Sequence, residues 1–272
     1  MTPAPLRAGV ATLCLALMSV TALAAGELSQ PQDDEDRQAI HDRCVALARD
    51  KPQEALEKAK VWRGEGGGFA ADHCIAMALF EMKDYRGAAE RFETLAADMM
   101  AEPSKQRANA LDQAGQAWLD ANDAARAKLN FDAALALDAD DTDLLIDRAE
   151  ALAALHDYRG AVADLTHVLK IEPKRAEAYI YRGAAYRALD HMDLALQDIE
   201  RGVRLDPNNP NGFLERGNVK LIKGDVAGAR ADWQRVIKLA PNSPAAAAAK
   251  TNLGNLSADS GKPPPRAEGQ HQ

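Results

Sequence analysis

Residues 176–208 read AEAYIYRGAAYRALDHMDLALQDIERGVRLDPN, and their spacing decides the architecture. With Ala176 as position 1, Tyr179, Gly183, Tyr186, Ala195, Ile199 and Gly202 fall at positions 4, 8, 11, 20, 24 and 27, and Pro207 at 32. Small residues at 8, 20 and 27 let two helices approach closely, and larger apolar residues at 4, 11 and 24 fill the space between them. Asp190, His191 and Met192 interrupt the period where one helix gives way to the next. Pro207 stops the second helix, because proline lacks a backbone donor and pushes its predecessor out of the helical region.

The pattern recurs on both sides. From Pro210 the same positions hold Phe213, Gly217, Lys220, Ala229, Trp233, Val236 and Pro241. From Thr142 they hold Leu145, Ala149, Leu152, Ala161, Leu165, Val168 and Pro173. From Ala108 they hold Leu111, Gly115, Trp118, Ala127, Phe131 and Ala134, with Ala139 in place of the proline. Four units in unbroken register, 108–141, 142–175, 176–209 and 210–243, resemble the tetratricopeptide repeat, a helix–turn–helix module of 34 residues. The resemblance implies an all-α, right-handed solenoid that grows by stacking units, and a role in binding other proteins.

The flanking segments are read around that array. Met1 to Ala24 has the pattern of a secretory signal: Arg7, an uncharged apolar run from Ala8 to Val20, and an Ala22-Leu23-Ala24 cleavage site. The run is short for a spanning helix, so cleavage and export are expected, without a stable membrane anchor, pointing to the bacterial periplasm. Leu13 before Cys14 does not suit a lipoprotein signal. Residues 25–34 read as a disordered leader and 35–68 as a degenerate capping repeat with a flexible glycine-rich linker, GEGGG, at Gly64 to Gly68. That linker is no phosphate loop, since no Lys-Ser or Lys-Thr follows. Residues 69–102 read as a further repeat with a weaker first helix, and Pro103 to Arg107 as a lengthened connection. Residues 244–256 read as a C-terminal capping helix and 257–272 as a disordered tail.

Composition narrows the function. The 272-residue chain carries a net charge of −8, which argues against a general nucleic-acid binder. Net acidity serves either solubility or a preference for basic partners. No nucleophile–base constellation, phosphate cradle or HExxH motif appears, so no enzyme, cofactor or small-molecule substrate is expected.

Loss of the signal leaves two cysteines, Cys44 and Cys74, on the first helices of neighbouring N-terminal units. A disulfide there would close a loop of about 30 residues, stabilise by about 3 kcal/mol and pin the cap to the first good repeat. Two alternatives stay open. One is a metal or redox site, because His41 lies three residues before Cys44 and His73 adjoins Cys74. Adjacent helical residues point about 100° apart, which makes a four-ligand site awkward, so no metal is expected. The other is a pair of unlinked buried thiols.

Charges show a second regularity. Arg148, Arg182 and Arg216 occupy position 7, and Asp164, Asp198 and Asp232 occupy position 23. Units without the arginine lack the aspartate too, with Ala114 and Asn130 in one and Ile75 and Arg91 in the other. Ion pairs between the two helices of a unit, or across to the next, are expected.

The resemblance further implies that the first helices line a concave groove, chiefly through positions 2, 5, 6, 9, 12 and 13. Carried over to this chain, these include Asp112, Asp143, Asp147, Glu150, Glu177, Ile180, Tyr181, Arg187, Leu214, Glu215, Asn218 and Leu221. Acids far outnumber the one base, Arg187, so the basic clamp by which some members of the family hold acidic tails is not matched. The expected function is a non-catalytic scaffold of the cell envelope that binds an extended basic or mixed segment of a protein partner. A metal- or redox-responsive protein using Cys44 and Cys74, or an accessory subunit of an envelope enzyme, are the alternatives.

Overall fold

The structure, a computed structural model, describes residues 31–260, which form helices joined by short turns. In order they are α1 (Pro31–Asp50), α2 (Pro52–Gly64), α3 (Gly68–Glu81), α4 (Tyr85–Asp98), α5 (Ser104–Asp120), α6 (Ala124–Leu135), α7 (Thr142–Ala154), α8 (Tyr158–Ile171), α9 (Ala176–Ala188), α10 (Met192–Leu205), α11 (Pro210–Ile222), α12 (Val226–Leu239) and α13 (Pro244–Ser260). Each helix packs on its successor. Contacts from α1 to α3, α9 to α11 and α11 to α13 carry the stacking from unit to unit, as in an all-α solenoid.

The turn inside each unit is built the same way. Position 15 is left-handed in five successive units: Lys83, Asn122, His156, Asp190 and Gly224, with φ of 63°, 60°, 63°, 62° and 86°. The next residue caps the second helix. Asp84, Asp123, Asp157 and Asp225 each accept a backbone N–H three residues on, from Gly87, Arg126, Gly160 and Gly228, at 2.8–3.1 Å. The unit 176–209 departs from this: His191 stands at the cap and makes no side-chain cap bond. His191→Asp is therefore expected to stabilise the protein by about 1 kcal/mol, raising Tm by roughly 2–4 °C. An unchanged Tm in a calorimetric scan would show that the turn already satisfies its donors in another way.

The core follows the large-and-small register. The alanines at position 20 (Ala88, Ala127, Ala161, Ala195, Ala229) and the large residues at position 24 (Phe92, Phe131, Leu165, Ile199, Trp233) are all buried. Gly183 shows why position 8 must be small: a Cβ there would lie 2.5 Å from Ile199 Cγ1 and 3.0 Å from the Ala195 carbonyl oxygen. The helices of that unit meet nearly backbone to backbone.

Several boundaries differ from the sequence reading. Residues 31–34, read as leader, form the first turn of α1, where the fixed φ of Pro31 suits a helix start. The GEGGG run is a tight turn, not a flexible linker. Gly66 and Gly68 have φ of 93° and 53°, and a Cβ on Gly67 would sit 2.8 Å from the Trp62 ring. Residues 104–107 extend α5 by a turn instead of lengthening a loop, and residues 257–260 extend α13. The segments 1–24, 25–30 and 261–272 lie outside the described residues, and with them the signal pattern and most of the tail. No helix among the described residues is long and apolar enough to cross a membrane.

Candidate functional site

The position-7 arginines are committed to the scaffold. Arg148 grips Asp164 through Nε (2.8 Å) and Nη2 (2.7 Å), Arg182 grips Asp198 (2.7 and 3.0 Å), and Arg216 grips Asp232 (2.9 and 2.6 Å). All three pairs join the two helices of one unit. The free arm reaches back to position 25 of the preceding unit, where Arg148 Nη1 donates to Asp132 (2.9 Å) and Arg182 Nη1 to Thr166 (3.1 Å). Hydrogen bonds to the aspartates, opposed by burial, hold all three guanidinium pKa values above the ordinary arginine value. In unit 108–141, one of the two without the arginine, Trp118 and Asn130 both donate to Glu93 Oε1, at 2.7 and 2.8 Å. Nothing in the sequence pattern marked Glu93, because it lies in the preceding unit.

At the N-terminal end Cys44 and Cys74 form a disulfide that joins α1 to α3 across a Cα–Cα distance of 6.0 Å. Bonded sulfurs are not thiolates, so a metal site built on these cysteines is ruled out in this state. Beside them His41 Nε2 lies 2.9 Å from His73 Nδ1, and His73 Nε2 lies 2.8 Å from Gln113 Oε1. Burial, reinforced by His41, pushes the His73 pKa down to about 4.

The residues expected to line the groove lie on α5, α7, α9 and α11. Asp112 and Asp147, from neighbouring units, are brought together by Gln116, whose Nε2 donates to both, at 3.1 and 3.3 Å. Asp112 Oδ1 is buried and has no hydrogen-bond partner, a costly state for an ionised carboxylate. Burial first, and then the Asp112 charge, push the Asp147 pKa up to about 7; burial also raises that of Asp112. Glu150 is raised by enclosure of its carboxyl end and by Asp147, Asp120 and Glu177. Burial and the charges of Glu177 and Glu150 lift the Tyr181 hydroxyl to about 12. Among the described residues no basic side chain comes within 4.0 Å of the Asp112, Asp147 or Glu150 carboxyls.

Other groove residues are already engaged. Arg175 Nη2 pairs with Asp143 at 2.6 Å and lies 3.4 Å from Glu177. Arg187 pairs with Glu215 at 2.8 Å, and Asn218 Oδ1 accepts from Trp233 Nε1 (3.2 Å) and Asn252 (3.0 Å). Leu214 and Leu221 are half-buried against the C-terminal cluster around Trp233 and Ala246. Ile180 is not a groove residue at all. It is 1% exposed and packs into the space left by Gly202 and Gly212, where a Cβ would meet it at 2.6 and 3.0 Å.

A cavity of about 350 Å³ opens between α7, α8 and α9. Ala149, Ala153, Ala161, Ala184, Ala185 and Ala188 make the space, Leu165 contributes an apolar wall, and Tyr158, Tyr181, Glu150 and Arg187 complete the lining. Its size is at the low end for a ligand pocket, about 300–1,000 Å³, and suits one long side chain.

Residues 176–209 match the tetratricopeptide repeat family, over the same span from which the register was read. That span carries a tetratricopeptide repeat. A tetratricopeptide repeat protein from Parabacteroides merdae ATCC 43184 is similar in structure, with a TM-score of 0.61 and 18% identity over 84% of this chain and 87% of that one. A thermophilic tetratricopeptide-repeat protein of Thermus thermophilus gives 0.56 and 18%, over 68% of this chain and 98% of that one. MamA of Desulfovibrio magneticus RS-1 gives 0.53 and 22%, over 69% and 97%. Identities this low establish the fold alone. No curated protein sequence matches the chain. The fold thus places uncompensated carboxyls beside a small-residue cavity, an arrangement suited to a cation on an apolar stem.

Proposed function

We propose that this array is a non-catalytic interaction scaffold whose concave groove captures an extended segment of a partner protein through a lysine or arginine of that segment. The observation that carries the reading is the alanine-lined cavity with unpaired Glu150 at its mouth. An alkyl stem gains by entering an apolar hole while its charged head stays at a polar rim. Glu150 supplies the counter-charge, and the ring faces of Tyr158 and Tyr181 favour a cation. Asp112, Asp147 and Glu177 extend the negative field along the groove and would speed encounter with a basic segment. Arg187, held by Glu215, sets the boundary of the acidic stretch. Export to the bacterial envelope is part of the proposal. It is supported by the signal-like pattern of Met1 to Ala24 and by the Cys44–Cys74 disulfide, a bond that persists in oxidising compartments.

The test is crosslinking in living cells from a photoreactive residue placed at Tyr181, followed by mass spectrometry. The expected result is one dominant protein, attached through a segment containing lysine or arginine, and lost with Glu150→Lys or Glu177→Lys. Scattered products that ignore both reversals would remove the concave face from consideration.

A further inference from the structure

We propose that His41 and His73 form a binding site for a divalent transition-metal ion, with Cu²⁺ held more tightly than Zn²⁺. The disulfide sets the geometry. His41 precedes Cys44 by three residues on α1, and His73 adjoins Cys74 on α3, so the Cys44–Cys74 bond fixes the helix segments that carry both imidazoles. Their facing nitrogens, His41 Nε2 and His73 Nδ1, stand 2.9 Å apart, with ring centroids at 4.9 Å and planes tilted by 56°. Two nitrogens bound to one ion at about 2.0–2.1 Å, with bond angles of roughly 90–110°, lie about 2.9–3.4 Å apart. To admit the ion the rings therefore separate by no more than about 0.5 Å and each tilts by about 35–45°, so that the lone pairs, which now face one another, converge on it.

His73 has the acceptor that a metal-bound histidine requires on its other nitrogen, and His41 has Asp42 just beyond hydrogen-bond distance of its own. His73 Nε2 donates to Gln113 Oε1 at 2.8 Å, which leaves the Nδ1 lone pair directed at His41. In the metal-free protein His41 Nε2–H donates to that lone pair. On binding, the His41 proton moves from Nε2 to Nδ1, which lies 3.6 Å from Asp42 Oδ1, and the vacated Nε2 lone pair binds the ion. No proton is lost to solvent and no bond other than coordination is formed. Gln113 and Asp42 are positioning residues here, not ligands.

The two imidazoles line a cavity of about 480 Å³ that also includes Gln38, Met99, Gln106 and Asn109. Among the described residues no third His, Cys, Asp or Glu joins the pair. The site is consequently an open one, with water in the remaining positions. Imidazole donors favour copper and zinc over magnesium and calcium, and copper over zinc at a site of given geometry. The proposal departs from the expectation that the chain holds no metal: the cysteines are bonded to each other, and their disulfide sets the histidines together.

The experiment titrates CuCl₂, ZnCl₂ and MgCl₂ into the oxidised full-length protein in a non-chelating buffer, by calorimetry, with electron paramagnetic resonance of the copper form. The expected result is one Cu²⁺ per chain with Kd below about 10 µM, weaker Zn²⁺ binding, no Mg²⁺ binding, and a copper spectrum split by two nitrogens. His41→Ala, a change at a half-buried side chain, should weaken Cu²⁺ at least tenfold with helix content and disulfide intact. His167→Ala should leave binding unchanged. Gln113→Leu should weaken copper and alter its spectrum, which loss of a purely structural hydrogen bond would not do. Absence of saturable Cu²⁺ binding, or the same affinity in His41→Ala, would leave the pair as a helix-to-helix hydrogen bond and nothing more.

Discussion

Arg182→Ala is expected to lose about 3–5 kcal/mol of unfolding free energy, far more than an average surface substitution. The reason lies with its partner. Asp198 is 7% exposed, and its two carboxylate oxygens are held by Arg182 Nε and Nη2 at 2.7 and 3.0 Å. Removing the guanidinium leaves a buried charge with no replacement cation, and that desolvation term is what the substitution exposes. Arg182→Lys keeps the charge but not the two-pronged fit, and should fall between the parent and alanine. The double variant Arg182→Met with Asp198→Leu removes both charges and fills the volume, so it should come close to the parent. Urea unfolding followed by circular dichroism gives the free energies, and amide exchange in α9 and α10 reports whether the loss is local. If Arg182→Ala loses less than about 1 kcal/mol and exchange is unaltered, the pair behaves as an exposed ion pair and does not hold the two helices of its unit together.

The ladder also shows what a sequence can and cannot disclose. Arginine and aspartate at positions 7 and 23 come and go together, so their pairing is legible from covariation within the chain itself. The second contact, at position 25 of the preceding unit, is not legible, because Asp132 and Thr166 share no residue type there. The helix pairs were readable because small residues at positions 8 and 20 have to face large ones at 24, a constraint that Gly183, Ala195 and Ile199 meet at contact distance. Segment ends were less readable: α1, α5 and α13 each run on through residues without an apolar pattern, where helix continuity and not core burial decides. The groove is the least legible part. Position 5 lies on the border between groove and unit interface, and Ile180 turned inward because glycines at 202 and 212 left it room. Asp112 and Asp147 come from separate units and meet only when α5 and α7 stack, so no motif within one unit could have paired them.

Neutralising that carboxyl pair in the variant Asp147→Asn is expected to remove a pH dependence from both stability and binding. In the folded protein Asp147 titrates at about 7, against an ordinary 3.8, because burial and the Asp112 charge disfavour its ionised form. Between those two values the folded chain holds a proton that the unfolded chain has released. The stability contributed by the protonated pair is therefore fully present below about pH 4, declines as pH rises to 7, and is absent above. Asparagine mimics the protonated state at every pH, so Asp147→Asn should exceed the parent by on the order of 1–2 kcal/mol at pH 8, after solvent screening, and by little at pH 4. His73 runs the other way, since its lowered pKa makes folding less favourable as pH falls from 6.5 toward 4. The informative quantity is accordingly the difference between variant and parent at each pH, not either curve alone. Binding should show the complementary effect. A lysine or arginine entering beside Asp112 and Asp147 supplies the positive charge that the proton on Asp147 supplied, so association expels up to one proton. Affinity for the segment captured at Tyr181, measured by fluorescence anisotropy with a labelled synthetic peptide, should then rise up to tenfold per pH unit between about 5 and 7. In Asp147→Asn the affinity should be lower at pH 8 and flat across the range. A stability gain without any change in the pH profile of binding would separate the pair from the groove: it would be a strained element of the scaffold, and the partner's cation would have to be read by Glu150 alone.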